Sequence, residues 1–337
     1  MKNAYERLVR PLLFSLDPET AHHFAIACLN AASRLGPVLG ALKRFAPESK
    51  ARNLFGLNFP NPIGLAAGLD KNGVALPAWA ALGFGFIEIG TVTAKAQAGN
   101  PKPRIFRFPE HRALVNRLGF NNDGADAVAN RLGRLKRSGR WPGMPVGINI
   151  GKSMSTPVTD ASSDYLYSFQ ALREFADYIV LNVSSPNTPG LRELQGADAL
   201  TGLLRAIAEK NVAPARPIVV KIAPDLVSDQ LEQVIATSEA NNVAAVIATN
   251  TTLDHSSIPP EKDQPGGLSG APLAEKSTGF VRAIATRSKM PIIASGGIVD
   301  AESAREKFRA GAQLIQLYTG LIYRGPGLLH EIAEAIP

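Results

Sequence analysis

The chain contains a single cysteine, Cys28, among its 337 residues. One cysteine excludes a disulfide framework and a cysteine-based zinc cluster, so no metal site is predicted. It also indicates a reducing compartment. No uninterrupted apolar run is long enough to span a bilayer. The N-terminus lacks the apolar core and the small-residue cleavage site of a signal peptide.

Runs of basic residues are also missing. The chain carries 36 Lys and Arg against 29 Asp and Glu, a net charge of +7, but the basic residues are scattered and are not interleaved with aromatics. This pattern disfavours a nucleic-acid interface and suits an anionic ligand or an anionic membrane surface. Hydrophobic residues make up 45% of the sequence, which supports a large core and excludes a disordered chain.

Residues 1–50 differ from the rest of the chain and predict an N-terminal helical extension. Asp17 and Pro18 match a helix start, with Asp as the N-cap and Pro at the first helical position. Gly36 and Pro37 are expected to end that helix. The segments are amphipathic and net basic, which is typical of a patch that lies in a membrane interface. A helical cap packed on the following domain fits the same pattern.

Residues 51–337 alternate between short apolar segments and helical patterns. Each apolar segment fits a buried parallel strand. Eight strands that alternate with helices predict an α/β protein, a (β/α)8 or TIM barrel. Two small strands are expected ahead of the barrel, at 53–55 and 57–59. The predicted barrel strands are 63–68, 86–92, 146–150, 178–183, 218–222, 244–249, 292–295 and 314–317.

Polar and glycine residues collect directly after these strands, where a barrel places its chemistry. Gly296 and Gly297 follow the seventh strand, and Thr319 and Gly320 follow the eighth. Phosphate sites in such barrels usually lie at these positions, because backbone N–H groups meet the anion there. The sequence therefore predicts a ligand or cofactor that carries a phosphate.

Asparagines at strand ends and in loops are expected to face the same mouth. Their mixed donors and acceptors suit a flat heterocycle with C=O and N–H groups. Lys71 offers a charge for a carboxylate. Lys221 lies on an apolar strand, so it either pairs with a carboxylate such as Glu88 or supplies a cation beside a cofactor that gains negative charge. The asparagines are Asn116, Asn149, Asn182, Asn187 and Asn250.

The stretch Tyr178–Pro189 ends a predicted strand with hydroxyl and amide side chains. Such residues also form ordinary turns, so the stretch alone leaves both interpretations open. No cysteine follows a barrel strand, and the one histidine that does is His255, in a long loop. Ser185 is therefore the candidate proton acceptor, although a free serine is a poor base and needs a closed site. The loop 187–196 is expected to act as a lid.

The same residues belong to motifs that resemble the dihydroorotate dehydrogenase family and, within it, the quinone-dependent, membrane-associated class (class 2). The motifs run through the whole barrel in order, and the helical extension resembles that class more loosely. The matching stretches are AAGLDKNG (66–73), GFIEIGTVT (85–93), NRLGFNN (116–122), GINIGKS (147–153), LNVSSPNTPGLR (181–192), VKIAPDL (220–226), IATNTTLD (247–254), GGLSG (266–270), PIIASGGI (291–298) and QLYTG (316–320).

The resemblance implies oxidation of (S)-dihydroorotate to orotate in de novo pyrimidine (UMP) biosynthesis, with FMN as hydride acceptor and a quinone as final electron acceptor. It implies that Ser185 is the catalytic base, where the soluble classes use a cysteine. The implied FMN ligands are Ala67, Gly68, Leu69, Asp70, Lys71, Thr91, Asn149, Asn182, Lys221, Thr249, Gly270, Gly297, Tyr318 and Thr319. The implied substrate ligands are Lys71, Asn116, Arg117, Leu118, Gly119, Phe120, Asn182, Asn187, Asn250 and Thr251.

In this family the extension forms a tunnel that admits quinone to the flavin. The resemblance therefore makes His22, Arg107 and Tyr318 candidates beside the quinone, which is ubiquinone or menaquinone. It also implies a monomer attached peripherally, through residues 1–50, to the cytoplasmic face of a bacterial inner membrane. No nucleic-acid partner is expected.

Two other interpretations compete with this one. A soluble-class dihydroorotate dehydrogenase or a related dihydropyrimidine oxidase would share the barrel, but Ser185 and the extension argue against both. A basic membrane- or RNA-binding protein on a degenerate barrel would need no cofactor. Against it, the phosphate positions, Lys221 and the asparagines are all present.

Overall fold

A computed structural model describes residues 4–44, 46–48 and 50–336. Residues 1–3, 45 and 49 of the predicted extension, and residue 337, lie outside this description. The strands are β1 (Arg52–Leu54), β2 (Leu57–Phe59), β3 (Ile63–Leu65), β4 (Phe86–Thr93), β5 (Ile105–Phe108), β6 (Ala113–Asn116), β7 (Val146–Gly151), β8 (Tyr178–Asn182), β9 (Ile218–Ile222), β10 (Ala245–Ala248), β11 (Gly267–Gly270), β12 (Ile292–Ser295) and β13 (Leu314–Leu317).

Helices follow most of the barrel strands, and three more precede the barrel. The α-helices are α1 (Arg10–Phe14), α2 (Pro18–Ala32), α3 (Gly36–Lys43), α4 (Leu76–Ala81), α5 (Ala125–Arg137), α6 (Ala161–Leu172), α7 (Ala197–Lys210), α8 (Ser228–Ala240), α9 (Ala274–Arg287), α10 (Ala301–Arg309), α11 (Thr319–Arg324) and α12 (Gly327–Ala335). Shorter turns of helix are Tyr5–Val9, Pro109–His111, Val158–Asp160, Arg173–Phe175, Leu191–Gln195 and Ala271–Leu273.

Eight parallel strands close into a barrel in the order β10-β12-β13-β3-β4-β7-β8-β9. The predicted (β/α)8 barrel with an N-terminal helical region is therefore confirmed. The strands β8 and β9 are buried along their whole length, which explains their continuous apolar runs. Their register sets Asn182 opposite Lys221 at the carboxyl ends. Because all eight strands run parallel in one closed barrel, their carboxyl ends meet at one mouth.

A small hairpin closes the amino-terminal end of the barrel. Strands β1 and β2 pair antiparallel, and Phe59 on β2 meets Phe86 edge to face with ring centroids 5.4 Å apart. Tyr178 joins the same apolar cluster. Because aromatic and aliphatic side chains fill this end, the opposite, carboxyl end is left to polar residues.

The helix start predicted at Asp17 is present. Asp17 Oδ1 accepts hydrogen bonds from the amides of Glu19 (3.0 Å) and Thr20 (3.1 Å), which caps α2. The extension is also tied to the end of the chain, because the Tyr5 hydroxyl donates to Ile322 O at 2.7 Å. The helices α1–α3 therefore pack on the barrel as one structure.

The predicted end of α2 is wrong. Helix α2 already ends at Ala32, and Gly36 and Pro37 form the first turn of α3. Proline is tolerated there because the first N–H groups of a helix have no helical acceptor. Within the described ranges, no single helix is long and apolar enough to cross a bilayer. The bent pair α2 and α3, at 107°, meets those limits by length and composition only.

A separate antiparallel sheet, not predicted from the sequence, has the order β11-β6-β5. Asn116 at the end of β6 pairs with Gly267 on β11 and with Ile105 on β5. These strands are four residues long and interrupt the strand–helix alternation, so the eightfold pattern does not reveal them. As a result, Asn116 is held by a ladder of backbone hydrogen bonds and not by a free loop.

Candidate active site

A cavity opens at the carboxyl ends of the barrel strands, as expected for this fold. Most of the residues that the motifs assign to cofactor or substrate line it, and they come from strands and loops far apart in sequence. They are Ala67, Gly68, Lys71, Thr91, Asn116, Leu118, Gly119, Phe120, Asn182, Ser185, Asn187, Lys221, Thr249, Asn250, Thr251, Gly270, Gly297, Tyr318 and Thr319.

One side of the cavity is a cradle of backbone amides. Gly297 follows β12, and Thr319 and Gly320 begin α11. Over the described part of the chain, the amides of these three residues have no hydrogen-bond acceptor. A Cβ at Gly297 would lie 2.1 Å from Ala274 Cα, and one at Gly320 would lie 2.2 Å from Ile298 O. The cradle thus requires glycine, and its unpaired N–H groups fit the oxygens of a phosphate.

Hydrogen bonds join the amide side chains beneath the cavity. Asn250 Nδ2 donates to Asn182 Oδ1 (3.2 Å), and Asn182 Nδ2 donates to Thr91 Oγ1 (2.9 Å). Thr91 Oγ1 donates to Asn149 Oδ1 (2.6 Å), and Asn149 Nδ2 donates to Glu88 Oε1 (2.8 Å). Each amide is oriented by its neighbour, so a flat ligand meets fixed donors and acceptors.

Glu88 is the fully buried carboxylate at the end of this chain. Lys221 Nζ lies 3.8 Å from Glu88 Oε1, and Gln316 Nε2 donates to Glu88 Oε2. Lys221 also lines the cavity. The lysine therefore pairs with the barrel carboxylate, as one of the two alternatives expects, and its place in the lining leaves the other, a cation beside a cofactor, as a prediction.

Ser185 lies on the loop after β8 and is 5% exposed. Its Oγ accepts a hydrogen bond from the amide of Asn187 at 3.3 Å. Asn187 Nδ2 donates in turn to Asn116 O at 3.0 Å, which ties this loop to β6. No histidine or cysteine occurs among the described residues that line the cavity. Ser185 thus places a hydroxyl in the cavity lining, on the loop after β8 that Asn187 ties to Asn116.

Arg192 anchors the segment that the sequence predicts as a lid. Its Nε donates to Ser184 O (3.1 Å), and its Nη2 donates to Thr251 O (3.3 Å). Its Nη1 donates to Asp225 Oδ2 at 2.9 Å, and Lys276 Nζ donates to Asp225 Oδ1 at 2.8 Å. One guanidinium therefore connects the loops after β8, β9 and β10.

Some residues in the motif sets lie outside the cavity lining. The Asp70 carboxylate accepts two backbone N–H groups just ahead of α4, each at 2.8 Å, and burial raises the Asp70 pKa. Arg117 points away and donates to Pro103 O at 2.8 Å. Asp70 and Asn149 thus hold neighbouring segments and do not face the cavity. The residues outside the lining are Leu69, Asp70, Asn149 and Arg117.

A second, apolar cavity of about 380 Å³ lies between the extension and the barrel. The three residues expected beside a quinone, His22, Arg107 and Tyr318, all line it, and so does Leu69. Tyr318 also lines the first cavity, so the two cavities share a wall. The Arg107 guanidinium lies 4.5 Å from the Phe14 ring centre, which holds it against α1.

Lys71 and His22 set the charge on the two sides of this wall. Burial and the nearby Arg104 lower the pKa of Lys71 to about 8. Burial and the charge of Lys71 lower the pKa of His22 to about 3. At neutral pH the first cavity therefore has a cation from Lys71, and the second has an uncharged imidazole.

A buried ion pair, which the sequence does not reveal, joins the extension to the barrel. Arg104 Nη2 donates to Glu19 Oε1 at 2.7 Å, and Lys102 Nζ lies 3.4 Å from the same oxygen. Burial alone would raise the pKa of Glu19, but the hydrogen bonds and charge of Arg104 hold it at about 2. The pair fixes α2 beside the loop that leads to β5.

Further lining residues carry weak sequence signals. Ser269 Oγ lies 2.9 Å from Thr319 Oγ1, at the edge of the amide cradle. Ser269 falls within the GGLSG motif and Gln316 within QLYTG, so both stand beside residues that were assigned. Leu273 also lines the cavity, but an isolated leucine after a turn has no pattern that separates it from the core.

The closed barrel, the amide cradle and the polar cavity define an enzyme of the (β/α)8-barrel class. Comparison with known proteins narrows this class to one family. Residues 49–337 match the family model described as dihydroorotate dehydrogenase. The chain belongs to the dihydroorotate dehydrogenase family, in its quinone-dependent class.

Relatives at high identity support this assignment. The chain is 50% identical over 334 residues to a protein of Gloeobacter violaceus named dihydroorotate dehydrogenase (quinone), covering 98% of this chain and 93% of the relative. It is 48% identical to a protein of the same name from Pseudomonas putida, covering 98% and 97%. The crystal structure of the Eimeria tenella enzyme with ferulenol superimposes with a TM-score of 0.84 at 35% identity, covering 95% of this chain and 90% of that one.

Proposed function

We propose that this protein oxidises (S)-dihydroorotate to orotate with FMN as hydride acceptor and a quinone as final electron acceptor, in de novo pyrimidine biosynthesis. Its membership of the quinone-dependent dihydroorotate dehydrogenases supports the overall reaction. The observation that carries the finer statement is the joining of two cavities. Amides, Lys221 and Ser185 line the first, and Tyr318 separates it from an apolar second one.

The family is flavin-dependent, and the residues present fit FMN. The amides of Gly297, Thr319 and Gly320 would hold its phosphate. Bound FMN supplies the redox chemistry by taking the hydride that the substrate loses. Asp70 and Asn149 do not line the cavity, so they would act by holding the chain segments around FMN. Leu69 lines the second cavity and would contribute from that side. The other proposed ligands are Ala67, Gly68, Lys71, Thr91, Asn182, Lys221, Thr249, Gly270 and Tyr318.

Ser185 is the proposed base that removes the C5 proton of dihydroorotate. Its Oγ accepts one hydrogen bond, from the amide of Asn187, and a second lone pair stays available to the substrate. A weak base requires a site closed to bulk water, and the burial of Ser185 provides one. As Ser185 receives the C5 proton, it passes its own hydroxyl proton to a water relay.

The asparagine side chains are proposed to bind the pyrimidine ring. Lys71, whose pKa of about 8 leaves it mainly protonated at neutral pH, is proposed to bind the carboxylate. The guanidinium of Arg117 is held by Pro103 O, so this residue would contribute through the backbone of its segment. The proposed substrate set is Lys71, Asn116, Arg117, Leu118, Gly119, Phe120, Asn182, Asn187, Asn250 and Thr251.

Residues 1–50 are proposed to admit quinone and to attach the protein to a membrane, while residues 51–337 form the FMN-binding catalytic domain. Exposed apolar side chains on the extension support this: Leu8 is 68% exposed, Leu12 72% and Phe24 56%. Such surface on amphipathic helices suits a membrane interface. The proposal includes a monomer that is peripheral to the cytoplasmic face of a bacterial inner membrane.

Steady-state oxidation of dihydroorotate with one acceptor at a time tests this function. We expect turnover with ubiquinone and menaquinone analogues and little with fumarate or NAD. Turnover with fumarate or NAD alone would contradict the quinone site, and no turnover with any acceptor would contradict the reaction. For the membrane, a variant with Leu8 and Leu12 changed to Gln should lose cosedimentation with phospholipid vesicles. It should keep turnover with a soluble quinone, because neither residue lines the second cavity.

A further inference from the structure

Lys307 is a fully buried lysine outside the cavity lining. It lies on α10, and its ammonium donates to Ala274 O at 3.0 Å, to Thr278 Oγ1 at 2.7 Å and to Ser277 Oγ. In the described ranges, no carboxylate lies within ion-pair distance of it. A buried charge without a counter-charge is unfavourable, so it calls for an explanation.

The position of Lys307 connects it to the amide cradle. Ser277 Oγ, which accepts from Lys307, donates to Gly296 O at 2.9 Å. Ala274, whose carbonyl also accepts from Lys307, packs so closely on Gly297 that a Cβ there would lie 2.1 Å from its Cα. The lysine therefore stands directly behind the Gly296–Gly297 turn, on the side away from the cavity.

We propose that Lys307 is a positioning residue of the phosphate site, which orients the Gly296–Gly297 turn through Ser277 and supplies the positive charge behind it. This inference rests on the proposed binding of FMN. The unpaired amide of Gly297 offers a hydrogen bond to the phosphate but no full charge. A cation one layer behind adds attraction across a medium of low dielectric constant, where charge interactions are stronger at a given distance than they are in water.

The missing counter-charge then has a candidate, the cofactor phosphate itself. Burial lowers the pKa of Lys307 to about 7, and Glu306 offsets this only in part. A bound phosphate would favour the charged form of the lysine. A purely structural lysine, which only joins α9 to α10, would stabilise the fold equally with or without a phosphate on the ligand.

Competition between FMN and riboflavin separates these two roles, because riboflavin has the same ring and no phosphate. The purified protein is incubated with mixtures of the two flavins, unbound flavin is removed, and the bound flavins are quantified. We expect Lys307→Gln and Lys307→Met each to lower the FMN-to-riboflavin affinity ratio by about tenfold. The matched control is Lys152→Gln. Lys152 is also buried and bonds to carbonyl oxygens (Ser153 O at 3.0 Å), but it is not attached to the cradle.

Each outcome decides a different point. A lower ratio in the Lys307 variants with an unchanged ratio in Lys152→Gln supports the inference. An unchanged ratio in the Lys307 variants overturns it, and so does an equal fall in the Lys152 control. If neither Lys307 variant retains any flavin, Ser277→Ala decides. It keeps the lysine but removes the hydroxyl that joins Lys307 to Gly296 O, and it should lower the ratio about threefold. A wild-type protein that binds no FMN would instead refute the proposed function.

Discussion

Lys221 Nζ and Glu88 Oε1 lie 3.8 Å apart beneath the cavity, and both side chains are shielded from water. Replacing Lys221 with Met leaves the fully buried Glu88 carboxylate without its cation. We expect this change to lower the free energy of unfolding by about 3 kcal/mol, as measured by urea denaturation. Adding Glu88→Gln removes the stranded charge and should regain most of the stability.

Turnover separates the structural role of Lys221 from its role beside the ligand. The double variant with Lys221→Met and Glu88→Gln should stay inactive although it is stable, because the cation facing the cavity is gone. A single Lys221→Met variant as stable as the wild type would contradict the buried pair. A double variant with normal turnover would contradict the role of the lysine beside the ligand.

Ser185→Ala should keep orotate and FMN binding and lose between about 10²- and 10⁴-fold in the rate of flavin reduction, because only the proton acceptor is removed. Stopped-flow absorbance under anaerobic conditions measures this rate. Ser184→Ala is the neighbouring comparison. Its Oγ accepts from Asn250 Nδ2 at 3.0 Å, so a smaller loss, mainly in substrate affinity, is expected. Near-normal reduction by Ser185→Ala at neutral pH would refute the assignment of the base.

The docking of the extension should weaken in acid. The pKa of His22 falls from 6.5 to about 3 in the folded protein, and that of Glu19 from 4.5 to about 2. Both folded values lie below the unfolded ones, so the unfolded state binds more protons as pH falls. The stability from His22 is complete above pH 6.5 and is lost toward pH 3, and that from Glu19 is lost between pH 4.5 and 2.

Limited proteolysis of residues 4–44 at pH 7, 5.5 and 4.5 measures this docking. We expect cleavage to increase at each step. Both increases should be largely absent in His22→Phe, because the contribution of Glu19 is lost only below pH 4.5. Equal protection at all three pH values, with the protease's own pH dependence corrected on an unfolded substrate, would contradict the linkage.

The lid prediction can be tested at Arg192. Arg192→Lys keeps the charge but cannot bridge Ser184 O, Thr251 O and Asp225 together, so turnover should fall about tenfold. Protease cleavage within 187–196 should rise and be suppressed by saturating orotate. Arg205→Lys, on the exposed face of α7, is the control. Cleavage that is the same with and without orotate in the wild type would refute the lid.

The barrel could be predicted from the sequence because its signal is repeated. Each of the eight buried strands must be apolar, and polar residues must follow their carboxyl ends, so an error in a single segment does not change the result. Single boundaries have no such support. Gly36 and Pro37 match both the end of one helix and the start of the next, and only the packing of α2 and α3 decides between them.

The candidate site could be predicted as a set of residues but not as a network. The motifs predict that Asn149 and Asp70 lie near a cofactor. They do not indicate that the Asn149 side chain bonds to Glu88, or that the Asp70 carboxylate accepts from the amide of Val74. Pairs such as Glu19 with Arg104 join positions 85 residues apart, and no local pattern links them. The sheet that carries Asn116 is likewise formed by pairing across long distances in sequence.

The most direct measurement of the central claim follows the visible absorbance of the flavin without oxygen. Dihydroorotate is added to the purified protein, and a ubiquinone analogue is added afterwards. We predict bleaching of the flavin band on the first addition and its recovery on the second. No bleaching in a protein that contains FMN would contradict the assignment of substrate, and bleaching without recovery would contradict the quinone site in the second cavity.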